Sequence, residues 1–226
     1  MKDGRIDRYK SRLVVDGSKQ VSGIDYTDNF ARVVKHTTVR MFIAIAAIHS
    51  MCVHQLDVES ALIYAPLHED VYMQPHPAMN IPHGHCVKLL KSLLYSLRQS
   101  PCNWNTHLHE FILSIGLRRS QLDNSMYIGV IESHTVPMAV FVDDILLAST
   151  CEDVTVHVKS LFHAQFRIKD MGPASEFLNI RITQRPGVIS IDQEPYVNSI
   201  LAKYPMYIGT RNYADVPSMT YHTHIP

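Results

Sequence analysis

In the stretch FVDDILLAS, residues 141–149, two aspartates stand side by side inside an apolar run. Val140, Phe141 and Val142 lead into Asp143 and Asp144, and Ile145, Leu146, Leu147 and Ala148 follow, the pattern of strand, turn and strand. Neighbouring carboxylates in such surroundings repel each other and resist desolvation, so something must neutralise them. A third carboxylate, Asp57, closes the strand-like MCVHQLDV, where Val53, Gln55 and Asp57 fall on one face. Carboxylates converging on one spot are hard oxygen ligands suited to Mg²⁺. Two such ions, about 4 Å apart, can activate an attacking hydroxyl and stabilise a leaving pyrophosphate oxygen. That chemistry predicts Asp57 and Asp143 within roughly 3–6 Å of each other, with at least one carboxyl pKa raised.

The elements that must position them read as an alternating α+β chain without internal repeats. TTVRMFIAIAAIH (37–49) has helical periodicity and a threonine at its start to cap it. MCVHQLDV (51–58) is a strand, and DVYMQP and CVKLL are shorter candidates. In SPCNWNTHLHEFILSIG (100–116), Trp104, Leu108, Phe111, Ile112 and Ile115 recur at helical spacing, with Pro101 in the first turn and Gly116 at the end. A strand at 126–131, a turn through ESHT and the Asp-Asp hairpin follow, then a helix over 150–166 capped by Thr150. A second hairpin turns about Pro186-Gly187, and a last helix lies near 194–203. The order strand, helix, strands, helix predicts a βαββαβ arrangement, an antiparallel sheet with helices on one face. There the first strand and the hairpin lie side by side. The aromatic residues read as core.

Composition sets bounds. The chain has 226 residues, 46% of them hydrophobic, enough to fill a core. Lys+Arg 21 balance Asp+Glu 21, which counts against a nucleic-acid binder, since such proteins usually carry a basic excess. The basic residues nevertheless gather locally. Residues 1–20 hold six Lys or Arg against three Asp, and residues 84–120 hold five against Glu110 alone. Basic flanks around an acidic centre suit a phosphate-bearing substrate held over metal ions, though a solvated surface explains the same counts. Cys52, Cys86, Cys102 and Cys151 form no C-x-x-C pair, and no apolar run reaches 18 residues. The expectation is a soluble protein of a reducing compartment with buried thiols and no membrane contact. His83, His85 and Cys86, and His107 and His109, lack a second cluster at zinc spacing and read as surface groups.

Over nearly its whole length the chain resembles the reverse transcriptase of copia-type LTR retrotransposons. The stretches that carry the likeness are DGRIDRYKSRLV, GIDYTDNFARVVKHTTVRMFIAIAA, HQLDVESALIYAPLHEDVYMQP, VKLLKSLLYSLRQSPCNWN, FVDDILLAS and FRIKDMGPASEFLNIRI, in that order. The resemblance implies a polymerase palm with partial fingers, adding deoxynucleotides to a primer 3′-hydroxyl on an RNA or DNA template, with two Mg²⁺ ions or Mn²⁺ in their place. Asp57, Asp143 and Asp144 match the catalytic, metal-binding aspartates, and Val58 offers a neighbouring carbonyl. Lys10 and Arg12 match a fingers region that holds the incoming triphosphate. Tyr95 and Gln99, with Ser100 and Pro101, match the motif under the template and the nascent base pair. Leu62 stands where the family has an aromatic residue that excludes the ribose 2′-hydroxyl.

Other departures are Phe141 for tyrosine, Ser96 and Asn179 for glycines, Ala65-Pro66 for Gly-Asp, Arg32 for proline and Asp16 for lysine. By the resemblance, residues 1–50 are partial fingers and a leading helix, 51–170 the palm, 171–205 a hairpin and helix toward a thumb, and 206–226 an irregular tail. Upstream fingers and a downstream ribonuclease H part of a polyprotein are absent from the sequence, and the setting is a cytoplasmic particle or the nucleus. Two other classes compete. A catalytically inactive retrotransposon remnant could fold and bind nucleic acid. A phosphoacceptor receiver domain also places an acidic pair at a strand end, but it needs a parallel sheet that the 82 residues after Asp144 do not supply.

Overall fold

The structure, a computed structural model, describes residues 14–28, 34–91 and 97–204. In chain order its elements are α1 (His36–Ile48), β1 (Cys52–Val58), β2 (Tyr72–Met73), β3 (Val87–Lys88), α2 (Ser100–Ser114), β4 (Arg118–Arg119), β5 (Met126–Ile131) and β6 (His134–Phe141). They continue with β7 (Asp144–Ser149), α3 (Glu152–Gln165), β8 (Ile168–Pro173), β9 (Glu176–Phe177), β10 (Ile180–Arg185), β11 (Val188–Asp192) and α4 (Glu194–Lys203). Short 3₁₀ turns occupy Gly17–Lys19 and Ala61–Tyr64.

A six-stranded antiparallel sheet in the order β4-β5-β6-β7-β1-β8 organises the molecule. Its register is set by alternation. Leu56 and Val58 of β1 and Ile145 and Leu147 of β7 are buried on one face, with Trp104, Leu108 and Ile112 of α2 and Val154, Val158 and Phe162 of α3. Val53, Leu146 and Ala148 are buried on the other, with Val39, Phe42, Ile43 and Ala46 of α1 and Phe177, Ile180 and Ile182 of the three-stranded sheet β11-β10-β9. A strand buried on both sides must be apolar at every position, which is why β7 reads ILLA without a polar break. Helices therefore cover both faces. The expectation of helices on one face holds for α2 and α3 and is corrected for α1, because the second apolar set of β1 and β7 also needs cover.

The helix starts differ from expectation as well. Neither α1 nor α3 has a side-chain cap: Lys35 and Cys151 occupy the cap positions. Thr37, the expected cap of α1, is instead an exposed residue inside that helix, and Thr150 lies 3.2 Å from His134 Nδ1. Pro101 stands in the first turn of α2 as its fixed φ favours. The short strand β4 and the edge strand β8 were not anticipated, and β8 runs across residue 170. The four cysteines are free, but Cys52 and Cys86 are exposed and Cys102 and Cys151 half-buried, which corrects the expectation of buried thiols. Among the described residues, no helix is long and apolar enough to cross a membrane.

Candidate active site

The acidic residues sit where β1 meets the β6–β7 hairpin. Asp57 lies directly opposite Asp144 in the antiparallel register, so the two project from the same face. Asp143 occupies the two-residue turn between Phe141 and Asp144, and its carbonyl accepts the Val58 N–H at 2.8 Å, tying the turn to the end of β1. On the other side of β1, Lys169 of β8 is the register partner of Asp57 and is exposed. A carboxylate pair and a lysine thus form one row across three strands. The three aspartates are half-buried, open enough to meet a ligand yet partly withdrawn from water.

Burial pushes the Asp144 carboxyl above its ordinary range. The charges of Asp143 and Asp57 push it the same way, while a hydrogen bond from Gln55 Nε2 to Asp144 Oδ1, 3.2 Å, works against them. The expected raised carboxyl is therefore Asp144. This mutual repulsion is the chemistry that a divalent cation relieves, and the donor set is all oxygen, as Mg²⁺ or Mn²⁺ requires. Among the described residues, no three His, Cys, Asp or Glu side chains are gathered into a ready metal cage. The donors are of the kind such ions take, with Asp57 facing Asp144 by register and Asp143 in the adjoining turn.

The turn itself is strained. Val142, its first residue, has φ +54°, a left-handed conformation that a β-branched side chain adopts at a cost of about 1–3 kcal/mol. Its carbonyl accepts the Trp104 indole N–H at 2.7 Å, and its side chain packs against the core that contains Trp104. Trp104 is core, as its helical spacing predicts, but its one polar atom is spent on the acidic turn. Gln55, Trp104 and Lys169 are the contributors that motif reading missed. The period-two pattern of β1 already placed Gln55 on the face of Asp57.

The remaining expected residues are placed less uniformly. Gln99 is 1% exposed. Its Nε2 donates to the Asp25 carbonyl at 3.1 Å and its Oε1 accepts from Gln20 at 3.0 Å, so it stitches the segment 14–28 to the start of α2. Ser100 is buried at the start of α2, and half-buried Pro101 follows it. Leu62 is 1% exposed in the core under the sheet, so its side chain presents no surface to solvent. Val58 is buried, and its N–H makes the bond to Asp143. Lys10, Arg12 and Tyr95 lie outside the described residues.

One buried histidine was also unforeseen. His54 of β1 has its Nδ1 2.8 Å from Lys159 Nζ, and Lys159 in turn reaches Asp170 at 3.0 Å. His83 and His85 are exposed and His107 and His109 half-buried, with His109 Nδ1 3.3 Å from the Tyr127 hydroxyl.

Comparison with known proteins bears on this geometry. The family profile described as reverse transcriptase (RNA-dependent DNA polymerase) matches residues 1–219. The chain is 33% identical over 205 residues to the retrovirus-related Pol polyprotein from transposon RE1 of Arabidopsis thaliana, covering 90% of this chain and 14% of that protein. It is 30% identical over 225 residues to the Pol polyprotein from transposon RE2 of the same plant, covering 98% and 16%. To the Pol polyprotein from transposon TNT 1-94 of Nicotiana tabacum it is 31% identical over 211 residues, covering 91% and 16%. The chain therefore spans about a sixth of the length of these relatives or less. No solved structure gives a significant match. With a profile match running through nearly every residue, the chain belongs to the reverse transcriptase family, and its relatives are the Pol polyproteins of copia-type transposons.

Proposed function

We propose that this chain is the catalytic part of an RNA-directed DNA polymerase, extending a primer 3′-hydroxyl with deoxynucleoside triphosphates on an RNA or DNA template. The observation that carries the reading is the register of Asp57 against Asp144, with Asp143 in the adjoining turn tied to Val58. Asp57, Asp143 and Asp144 are the side chains that hold the divalent cations, with the Val58 carbonyl beside them. Bound there, two Mg²⁺ or Mn²⁺ ions supply Lewis-acid activation of the primer hydroxyl and charge stabilisation at the leaving pyrophosphate.

The protein's own part is orientation. The β1–β7 ladder fixes the separation of two carboxylates, and Gln55 holds Asp144 by one oxygen. Lys169 adds positive charge to the row, suited to the negative charge of a triphosphate. Lys10 and Arg12 complete the phosphate contacts in this reading, and Tyr95, Ser100 and Pro101 underlie the template and base pair. Gln99 contributes by fastening the segment 14–28 beside α2. The template–primer and the rest of a longer polyprotein are the partners.

The test is primer extension by the purified chain with Mg²⁺ and with Mn²⁺, beside Asp57→Asn. Extension by the wild type that falls at least about a hundredfold in the variant supports the reading. No extension with either ion leaves the inactive remnant as the better account. Equal extension by both proteins removes Asp57 from the chemistry.

A further inference from the structure

The Trp104 ring is explained by packing: it meets Phe166 edge-on at 5.3 Å and Tyr64 at 6.3 Å, inside the core between α2 and the sheet. Its N–H is not. A buried indole needs an acceptor, and the carbonyls of α2 and of doubly paired β7 are committed to helix and ladder bonds. The acceptor it has is the carbonyl of Val142, the single left-handed residue of the turn that carries Asp143. One residue further on, the Asp143 carbonyl is held by Val58 N–H, next to Asp57. The strained turn is thus clamped at two successive carbonyls, one from the helix side and one from the strand of the opposing aspartate.

We propose that Trp104 is a positioning residue for the acidic pair: its indole N–H holds the Val142 turn in the left-handed conformation that fixes Asp143 against the end of β1. The inference rests on the polymerase reading for its purpose, but not for its test. The two-residue turn closed by Phe141 and Asp144 calls for a positive φ, which valine meets at a steric cost, so losing the indole bond removes a restraint from a strained residue. The turn would then relax, loosening the Val58–Asp143 bond and with it the spacing of Asp143 from Asp57. A ring that served only as core would have no such local effect.

The experiment is Trp104→Phe, which keeps an aromatic ring and deletes the donor, followed by amide hydrogen exchange. The expected result is exchange at Val58 faster by about tenfold, while amides of Ile182 on β10 and Leu108 on α2 stay within about twofold. Unchanged protection at Val58 overturns the proposal. So does a uniform rise at all three amides, which marks a general loss of core packing. If Trp104→Phe does not fold, Val142→Gly in the wild-type background replaces it, because glycine holds φ > 0 without a clamp. In that variant Val58 protection equal to wild type, together with a Trp104→Phe/Val142→Gly double variant that regains the fold, supports the clamp. A double variant that still fails to fold overturns it.

Mn²⁺ titration by calorimetry links the clamp to the site. Weaker binding by Trp104→Phe, by about tenfold, with recovery in the double variant, extends the role to cation spacing. Equal binding by wild type and Trp104→Phe overturns that extension. Wild type that binds no Mn²⁺ and extends no primer defeats the polymerase reading alone, since Val58 exchange still decides the clamp.

Discussion

Asp144 shows what the acidic centre asks of a single residue. Its folded-state carboxyl is raised, first by burial and then by the charges of Asp143 and Asp57. Between the unfolded value, about 3.9, and the higher folded value, the folded protein binds more protons than the unfolded one. The protonated form's contribution to stability is therefore fully present below about pH 3.9 and is lost as pH rises through the folded pKa. Asp144→Asn keeps an acceptor for Gln55 Nε2 and removes the charge. The cation-free variant is expected to be more stable than wild type at neutral pH, by about 1 kcal/mol, with the difference shrinking toward pH 4. Excess Mg²⁺ should reverse the ranking, because it stabilises only the folded site that binds it. Melting curves of both proteins in chelator and in Mg²⁺, across pH, check this. A variant that is less stable in chelator at neutral pH would mean that hydrogen bonds, not repulsion, govern Asp144.

At the scale of elements, one side-chain amide adds hydrogen bonds to the apolar contact between the two sheets. Gln184 of β10 donates from Nε2 to the carbonyls of Val53, 2.8 Å, and Ala174, 3.0 Å. Its Oε1 accepts the Val53 N–H at 2.9 Å. This pairs the start of β1, at the end away from Asp57, with the β10–β11 hairpin as a backbone strand would. Gln184→Ala takes that partner from the Val53 N–H and the Ala174 carbonyl, while the Val53 carbonyl keeps the Ala174 N–H at 2.8 Å, and the expected loss is about 1–3 kcal/mol. Denaturant unfolding measures the loss, and faster amide exchange at Val53 locates it. A change below about 0.5 kcal/mol would show that the apolar contacts of Ile180 and Ile182 alone dock the hairpin.

Across the whole molecule, an ionic chain through buried His54 and Lys159 to exposed carboxylates ties β1, α3 and β8 together. Lys159 is 8% exposed, between His54 of β1 and Asp170 of β8, and His54 Nε2 faces Glu152 at 3.4 Å. Burial, then the Lys159 charge, lowers the His54 pKa, with Glu152 and Asp170 opposing. Below the ordinary histidine value of about 6.5 the unfolded chain binds the proton that the folded chain resists. Stability is therefore complete above about pH 6.5 and declines as pH falls through the window beneath it. Thermal melts from about pH 8 to pH 5 should show that decline in wild type and a flatter profile in His54→Asn. Parallel profiles would assign the decline to other groups.

The sequence by itself determined the longer elements, β1, α2, α3 and the β6–β7 hairpin, and the place of the paired aspartates at its turn. Period-two alternation marked β1, helical spacing marked α2 and α3, and an apolar run broken by Asp143-Asp144 marked the hairpin, because these signals are local. The order of motifs carried the family, which the profile match over residues 1–219 bears out. Tertiary structure decided what depends on partners distant in the chain. That α1 covers the second face of the sheet, that β8 pairs with β1 to set Lys169 beside Asp57, and that Gln99 turns to Asp25 and Gln20 are pairings of remote segments. So too is the use of Trp104: spacing alone made it core, and only the approach of α2 to the hairpin gave its N–H the strained carbonyl of Val142 to hold. Periodicity shows which side of an element is buried, but a hydrogen bond needs both partners in place, and their meeting is settled by packing.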